Sequence, residues 1–246
     1  MSEFKLPTEE VELPSKGLVY PKENPLSSGK VEIKYMTAKE EDILSNPSYI
    51  KKGTVIDKLL KSLIISDIDY NDLIIGDKNA LMVAARVLGY GKDYSFVYED
   101  EEIEVDLSLI EPKHIDESNF TKGQNSFNFT LPSTKTEITF KILTHKDEML
   151  IDRELEGLKK ISKTNSPSMS TKLKYTITSV GGDSEPKTIR KYVDDFLLAR
   201  DARALRKHID EFQPDIDLSF FPPESDSPQP LPINLNFFWP DIKSGV

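Results

Sequence analysis

Residues 77–107 read DKNALMVAARVLGYGKDYSFVYEDEEIEVDL, and the change of period inside this stretch decides the fold class. Ala80, Leu81, Ala84, Ala85 and Leu88 recur at the spacing of one helix face. Asp77 or Lys78 starts that helix, and Gly89 or Gly91 stops it. From Tyr94 onward the apolar residues alternate instead: Tyr94, Phe96 and Tyr98, then Ile103, Val105 and Leu107. Glu99-Asp100-Glu101-Glu102 separates the two runs as the acidic tip of a β-hairpin. A helix that runs into an antiparallel hairpin marks an α+β chain and not a βαβ rhythm.

The same two periods recur on both sides. Upstream, Val55, Ile56, Leu59, Leu60, Leu63 and Ile64 form a helical stripe. Val31, Ile33 and Tyr35 alternate as a half-buried strand, and Thr37 with Glu40 makes a capping box for a short helix ending near Asn46-Pro47. Residues 13–36 otherwise carry turn signals, Pro14, Pro21 and Pro25 with Gly17 and Gly29. Downstream, Phe127–Phe129 and Ile138–Ile142 predict a second hairpin, and Asp147 to Ile161 predicts a helix. Residues 165–170 read as a polar linker. Residues 171–180 fit a strand by β-branched content and a helix by charge spacing. Pro186 opens a helix that reaches about Ala199. Ala202, Leu205, Ile209 and Phe212 mark a second helix, ended by Pro214. Ile216, Leu218 and Phe220 read as one closing strand, and Ile233, Leu235 and Phe237 as its return. The expected architecture is α+β: β-hairpins interspersed with helices, then a C-terminal helical pair followed by a final strand pair. It divides into an N-terminal α+β region, 1–164, and a C-terminal helical region with the closing hairpin, 171–246, or runs as one continuous domain.

With 246 residues the chain can bury a substantial core. Its net charge of −10 and pI near 5.0 argue against a general affinity for nucleic acid or for anionic membrane, both of which need a positive surface. Cysteine is absent, so disulfides and thiolate metal sites are excluded. No run approaches the roughly 20 apolar residues of a membrane span. The acid-rich first residues lack a signal-peptide core, and a cytoplasmic protein is the expectation.

Motifs for bond-making chemistry are missing. Gly29-Lys30 and Gly91-Lys92 lack the upstream glycine of a phosphate loop, and Gly89-x-Gly91 lacks the third glycine of a dinucleotide loop. His114, His145 and His208 stand apart, which suits surface or capping roles and not a zinc site. The acidic run Glu99 to Glu102 lacks the alternating ligands and central glycine of a calcium loop. Carboxylates are abundant enough for a glycan hydrolase, but abundance alone singles out no pair. Arg190, Lys191, Arg200, Arg203, Arg206 and Lys207 interleave with Asp194, Asp195, Asp201, Asp210 and Glu211, as on a salt-bridged helix surface or a face for a protein partner. No catalytic residue, cofactor or metal is assigned.

The sharpest local feature is the end, Leu231-Pro232-Ile233-Asn234-Leu235-Asn236-Phe237-Phe238-Trp239-Pro240, which holds the one tryptophan. Aromatic side chains carry about 150–250 Å² each, and a soluble chain rarely leaves such a patch uncovered. Either the segment folds onto its own core as a final strand, or Phe237, Phe238, Trp239 and Pro240 dock on a partner as aromatic anchors; both can hold at once.

Two end segments carry a family resemblance. Leu13-Pro14-Ser15-Lys16-Gly17-Leu18-Val19-Tyr20 resembles the opening motif of the T4-type bacteriophage baseplate hub assembly proteins. Leu231 to Pro240 resembles their C-terminal signature. Arg200 to Arg206, followed by Pro214-Asp215-Ile216-Asp217, is similar to the helix that leads into their last strand pair. The resemblance brackets residues 13–240 and is weakly marked in the middle. It departs at Phe221 to Pro228, where many relatives place a Cys-x-x-Cys knuckle, so no metal is carried over. What the resemblance implies is a non-enzymatic tail protein that binds phage baseplate hub proteins and promotes their assembly in the host cytoplasm. The alternatives it leaves are a permanent subunit of the virion tail and, less in keeping with the sequence, a carboxylate-based cell-wall hydrolase. Leu13, Pro14, Gly17 and Tyr20 are then expected as a second contact or as a clasp on the tail. Self-association is a further expectation.

Overall fold

Val31 and Ile33 belong to the buried core, and a strand that the sequence pattern does not announce pairs beside them. The structure, a computed structural model, describes residues 6–161, 167–223 and 225–238. In it β1 (Thr8–Glu12) pairs antiparallel with β2 (Lys30–Lys34), setting Val11 opposite Val31 and Glu9 opposite Ile33. The sequence Thr-Glu-Glu-Val-Glu holds one apolar residue, so alternation cannot reveal it. The loop between the strands folds tightly on itself. Gly17 (φ +76°) and Gly29 (φ +74°) face each other's neighbourhoods, and a Cβ on Gly17 would stand 2.5 Å from the Ser27 carbonyl oxygen.

The capping box forms as expected at the start of α1 (Ala38–Leu44). Glu40 is fully buried there and accepts from Lys34 Nζ (2.8 Å), Ser62 Oγ (2.7 Å) and Thr37 Oγ1 (2.6 Å). α2 (Pro47–Lys51) and α3 (Val55–Leu63) follow, the latter burying Leu59, Leu60 and Leu63 from its predicted stripe. α4 (Ile75–Tyr90) begins slightly before the expected start and stops at Gly91. It is the central helix. Gly76 on its first turn lies so close to the chain at Pro214 that a Cβ would sit 2.0 Å from that carbonyl oxygen.

The hairpin that decides the class is present as β3 (Asp93–Tyr98) and β4 (Glu101–Asp106), with Phe96 opposite Ile103 and Tyr98 opposite Glu101. Its tip is two residues, Glu99 (φ +48°) and Asp100 (φ +68°), the signature of a primed turn. The second hairpin forms from β5 (Phe127–Thr130) and β6 (Glu137–Phe140). α5 (His145–Ile161) comes next. The two readings of 171–180 are both realised: α6 (Ser168–Thr176) passes directly into β7 (Ile177–Val180). The expected polar linker is already helical from Ser168, while 165–166 lies outside the described residues. β7 pairs with β6, so the sheet β5-β6-β7 joins the region before 164 to the region after 171. One apolar cluster likewise runs from Leu13 to Phe238.

α7 (Pro186–Asp195) starts on its proline but ends short of Ala199, because Phe196 and Leu197 turn the chain before α8 (Ala199–Phe212). A closing strand pair does follow this helical pair: β8 (Ser219–Phe220) and β9 (Gln229–Pro230). The expected return strand through Ile233, Leu235 and Phe237 is corrected. Leu235–Phe238 is a helical turn, α9, whose start is capped by Asn234 Oδ1 accepting from Asn236 N at 2.9 Å. A strand would turn Phe237 and Phe238 to opposite faces; the helical turn buries both. No helix among the described residues is long and apolar enough to cross a membrane.

Candidate interaction surfaces

The opening motif is a grip on α4. Leu13, Pro14, Ser15, Gly17 and Tyr20 are buried. Asp77, fully buried at the start of α4, accepts from Ser15 N (2.9 Å), Ser15 Oγ (2.7 Å) and Tyr20 Oη (2.6 Å). Tyr20 Oη in turn accepts from Ile74 N at 3.0 Å. Burial pushes the Asp77 carboxyl up to about 6 against the pull of these hydrogen bonds. The motif spacing now has a cause: Ser15 and Tyr20 reach one carboxylate, and Gly17 allows the turn between them. These side chains offer no free face to a partner.

The closing motif is also turned inward where it is described. Phe237 and Phe238 have no exposure. The Phe237 ring meets Tyr94 edge-on at 5.0 Å, and Tyr94 Oη donates to the Pro232 carbonyl at 2.6 Å. Phe220 stands edge-on to Phe96 (4.9 Å) and Tyr98 (5.3 Å). α9 also packs against α4. Trp239 and Pro240, the other two expected anchors, lie outside the described residues.

Sequence reading missed a cluster of titratable groups between α3, α4 and α5. Lys78 Nζ reaches Asp57 (3.1 Å), Glu148 (2.7 Å) and His145 Nδ1 (3.3 Å). Tyr70 Oη donates to Asp57 at 2.9 Å and its ring meets His145 at 4.7 Å. Burial raises the Glu148 carboxyl, but His145 and Lys78 outweigh it and hold the group at about 2. Burial opposes the Lys78 charge, yet Glu148 and Asp57 raise its pKa. Glu148 and Lys78 are thus held in their charged forms, and the arrangement suits an ionic staple of three helices. Of the histidines expected in surface or capping roles, His145 is 2% exposed and so is not at the surface, while His208 is half-buried and stacks on Phe129 at 4.6 Å. Asp201 is likewise corrected from helix surface to core: it is fully buried and accepts from Ser133 N (2.8 Å) and Thr134 N (3.1 Å) in the second hairpin's loop.

Of the open concavities among the described residues, three bear on binding. A cleft of about 560 Å³ separates the β3–β4 hairpin from the closing segment, with the buried Arg86 at its base donating to the Asp93 carbonyl at 2.9 Å. A groove of about 260 Å³ runs between α6 and α8, floored by Leu143, Leu173 and Ile209 and rimmed by Lys172 and Arg206. A third, of about 490 Å³, lies along β1 over the Ala80, Val83, Ala84, Val87 stripe of α4. That stripe was half legible, since Ala80 and Ala84 belong to the predicted helix face. Compared with known protein families, with curated proteins and with solved structures, the chain matches none.

Proposed function

We propose that this chain is a non-enzymatic assembly protein of the contractile-tailed phage baseplate, binding hub proteins and acting by contact alone. The observation that carries this reading is the convergence of the two motif segments on one helix. Ser15 and Tyr20 from the opening motif hold the start of α4 through Asp77, and the closing motif packs α9 against the same helix. Leu13, Ser15, Tyr20, Phe237 and Phe238 from the two motif segments are all buried, which supports reading both segments as parts of one scaffold. Its grooves combine apolar floors with charged rims, the composition of binding surfaces. The supporting chemistry is packing: large aromatic groups fix the scaffold, and exposed Val97, Met169, Phe196 and Phe221 leave apolar area available for contact.

Co-expression with the hub proteins of a contractile-tailed phage, followed by sizing and identification of the co-eluting chains, tests the proposal. A stoichiometric complex with a hub protein is expected. Elution of the chain alone, with hub assembly unaffected by its omission, would refute it.

A further inference from the structure

We infer that the open edge of β1 receives a strand from a partner, and that this strand is an extended cationic segment alternating basic and apolar residues. The backbone sets the first condition. Tyr35 N donates to Pro7 O (3.2 Å) and Leu13 N to Gly29 O (2.8 Å) at the two ends of the β1–β2 ladder. Residues 7, 9, 11 and 13 therefore face β2, and antiparallel alternation turns the N–H and C=O groups of Thr8, Glu10 and Glu12 outward. Among the described residues none of these outward groups has a hydrogen-bond partner. The opposite edge of the same sheet is covered, where Ile65 N and Ser66 N donate to Glu32 O at 2.9 and 3.4 Å.

The groove sets the second condition. It runs directly beside this unpaired edge and is floored by Ala80, Val83, Ala84 and Val87, one stripe of α4 at helical spacing. A strand laid there bonds to β1 along its backbone and rests alternate side chains on the helix. Strand addition of this kind draws affinity from main-chain bonds and specificity from every second side chain.

Charge selects the occupant. The charged side chains lining the groove are Glu9, Glu10 and Glu12; Lys30 on β2 pairs with Glu10 (2.6 Å) and approaches Glu12 (3.8 Å), so one lysine stands against three carboxylates and the edge stays net negative. A second copy of this chain would bring the same carboxylates against them, and like charges directly opposite destabilise a strand pair. An acidic edge thus resists self-pairing while attracting a basic strand. The inference goes beyond the phage reading and needs nothing from it, since a cationic strand of any origin satisfies the geometry.

A synthetic peptide of alternating lysine and valine, titrated into the intact chain, tests it. Saturable binding is expected, with amide hydrogen exchange at Glu10 and Glu12 slowed at least about tenfold and affinity falling as salt is raised. The same peptide N-methylated on the amides that face β1 loses binding, and so does a glutamate–valine peptide; neither control alters the protein. Four results would overturn the inference. They are unchanged exchange at Glu10 and Glu12 under saturation, equal binding by either control peptide, no binding at about 1 mM peptide, and dimerisation of the chain through β1.

Discussion

Asp77 ties the opening segment to the first turn of α4. It is a carboxylate without a cationic partner among its hydrogen bonds, fully buried, and held by two donors from Ser15 and one from Tyr20. Because its pKa rises from 3.8 to about 6 on folding, the native state binds a proton more readily than the unfolded chain. Stability from this group is greatest below about pH 4 and declines as pH rises to about 6. Glu40 works in the opposite direction. Burial raises it, but Lys34, Thr37 and Ser62 hold it at about 2, so its stabilisation is present above its ordinary value of 4.5 and is lost as pH falls toward 2. Asp77→Asn removes the slope between pH 4 and 6 and costs about 1–3 kcal/mol, because an amide NH₂ must face a donor; denaturant melts of both proteins across that range check it. Gly76→Ala is expected to cost at least as much, since the new methyl meets the Pro214 carbonyl and backbone cannot give way as a side chain can. Neither residue was legible as a core residue. Asp77 lies 62 positions from Ser15 and 57 from Tyr20, and a period-based reading sees only a helix start.

Elements were legible where one periodicity governed a run. α3, α4, α5 and both hairpins follow their apolar patterns, and the Thr37–Glu40 box and Pro186 mark their helix starts. Reading failed where tertiary pairing overrode local pattern. β1 is a strand because its backbone pairs with β2, although its own residues are mostly acidic. α9 is a turn because Asn234 caps it and both phenylalanines need burial, although Ile233, Leu235 and Phe237 alternate. The β3–β4 tip yields a prediction at this scale. Asp100 holds φ +68° without being glycine, a conformation that costs a side-chain-bearing residue of this kind up to about 1–2 kcal/mol. Asp100→Gly is therefore expected to stabilise the hairpin by several tenths of a kcal/mol, read as a small rise in melting temperature. A fall would show that the aspartate makes a compensating contact.

At the scale of the whole molecule, the two ends of the sequence close on the middle. The opening motif grips the first turn of α4, the closing motif covers α4 and β3, and the sheet β5-β6-β7 ties the regions on either side of residues 162–166. The residues expected as contacts at the two motif segments turn out to serve the core where they are described: Tyr20, Phe237 and Phe238 are buried, and the open grooves lie elsewhere. Thermal unfolding of the chain truncated after Asn236 tests that claim most directly. Loss of two fully buried phenylalanines removes about 3–5 kcal/mol each, so the account predicts a melting temperature lower by at least about 10 °C, or no cooperative transition. A truncated chain that melts within about 2 °C of the intact protein would contradict it.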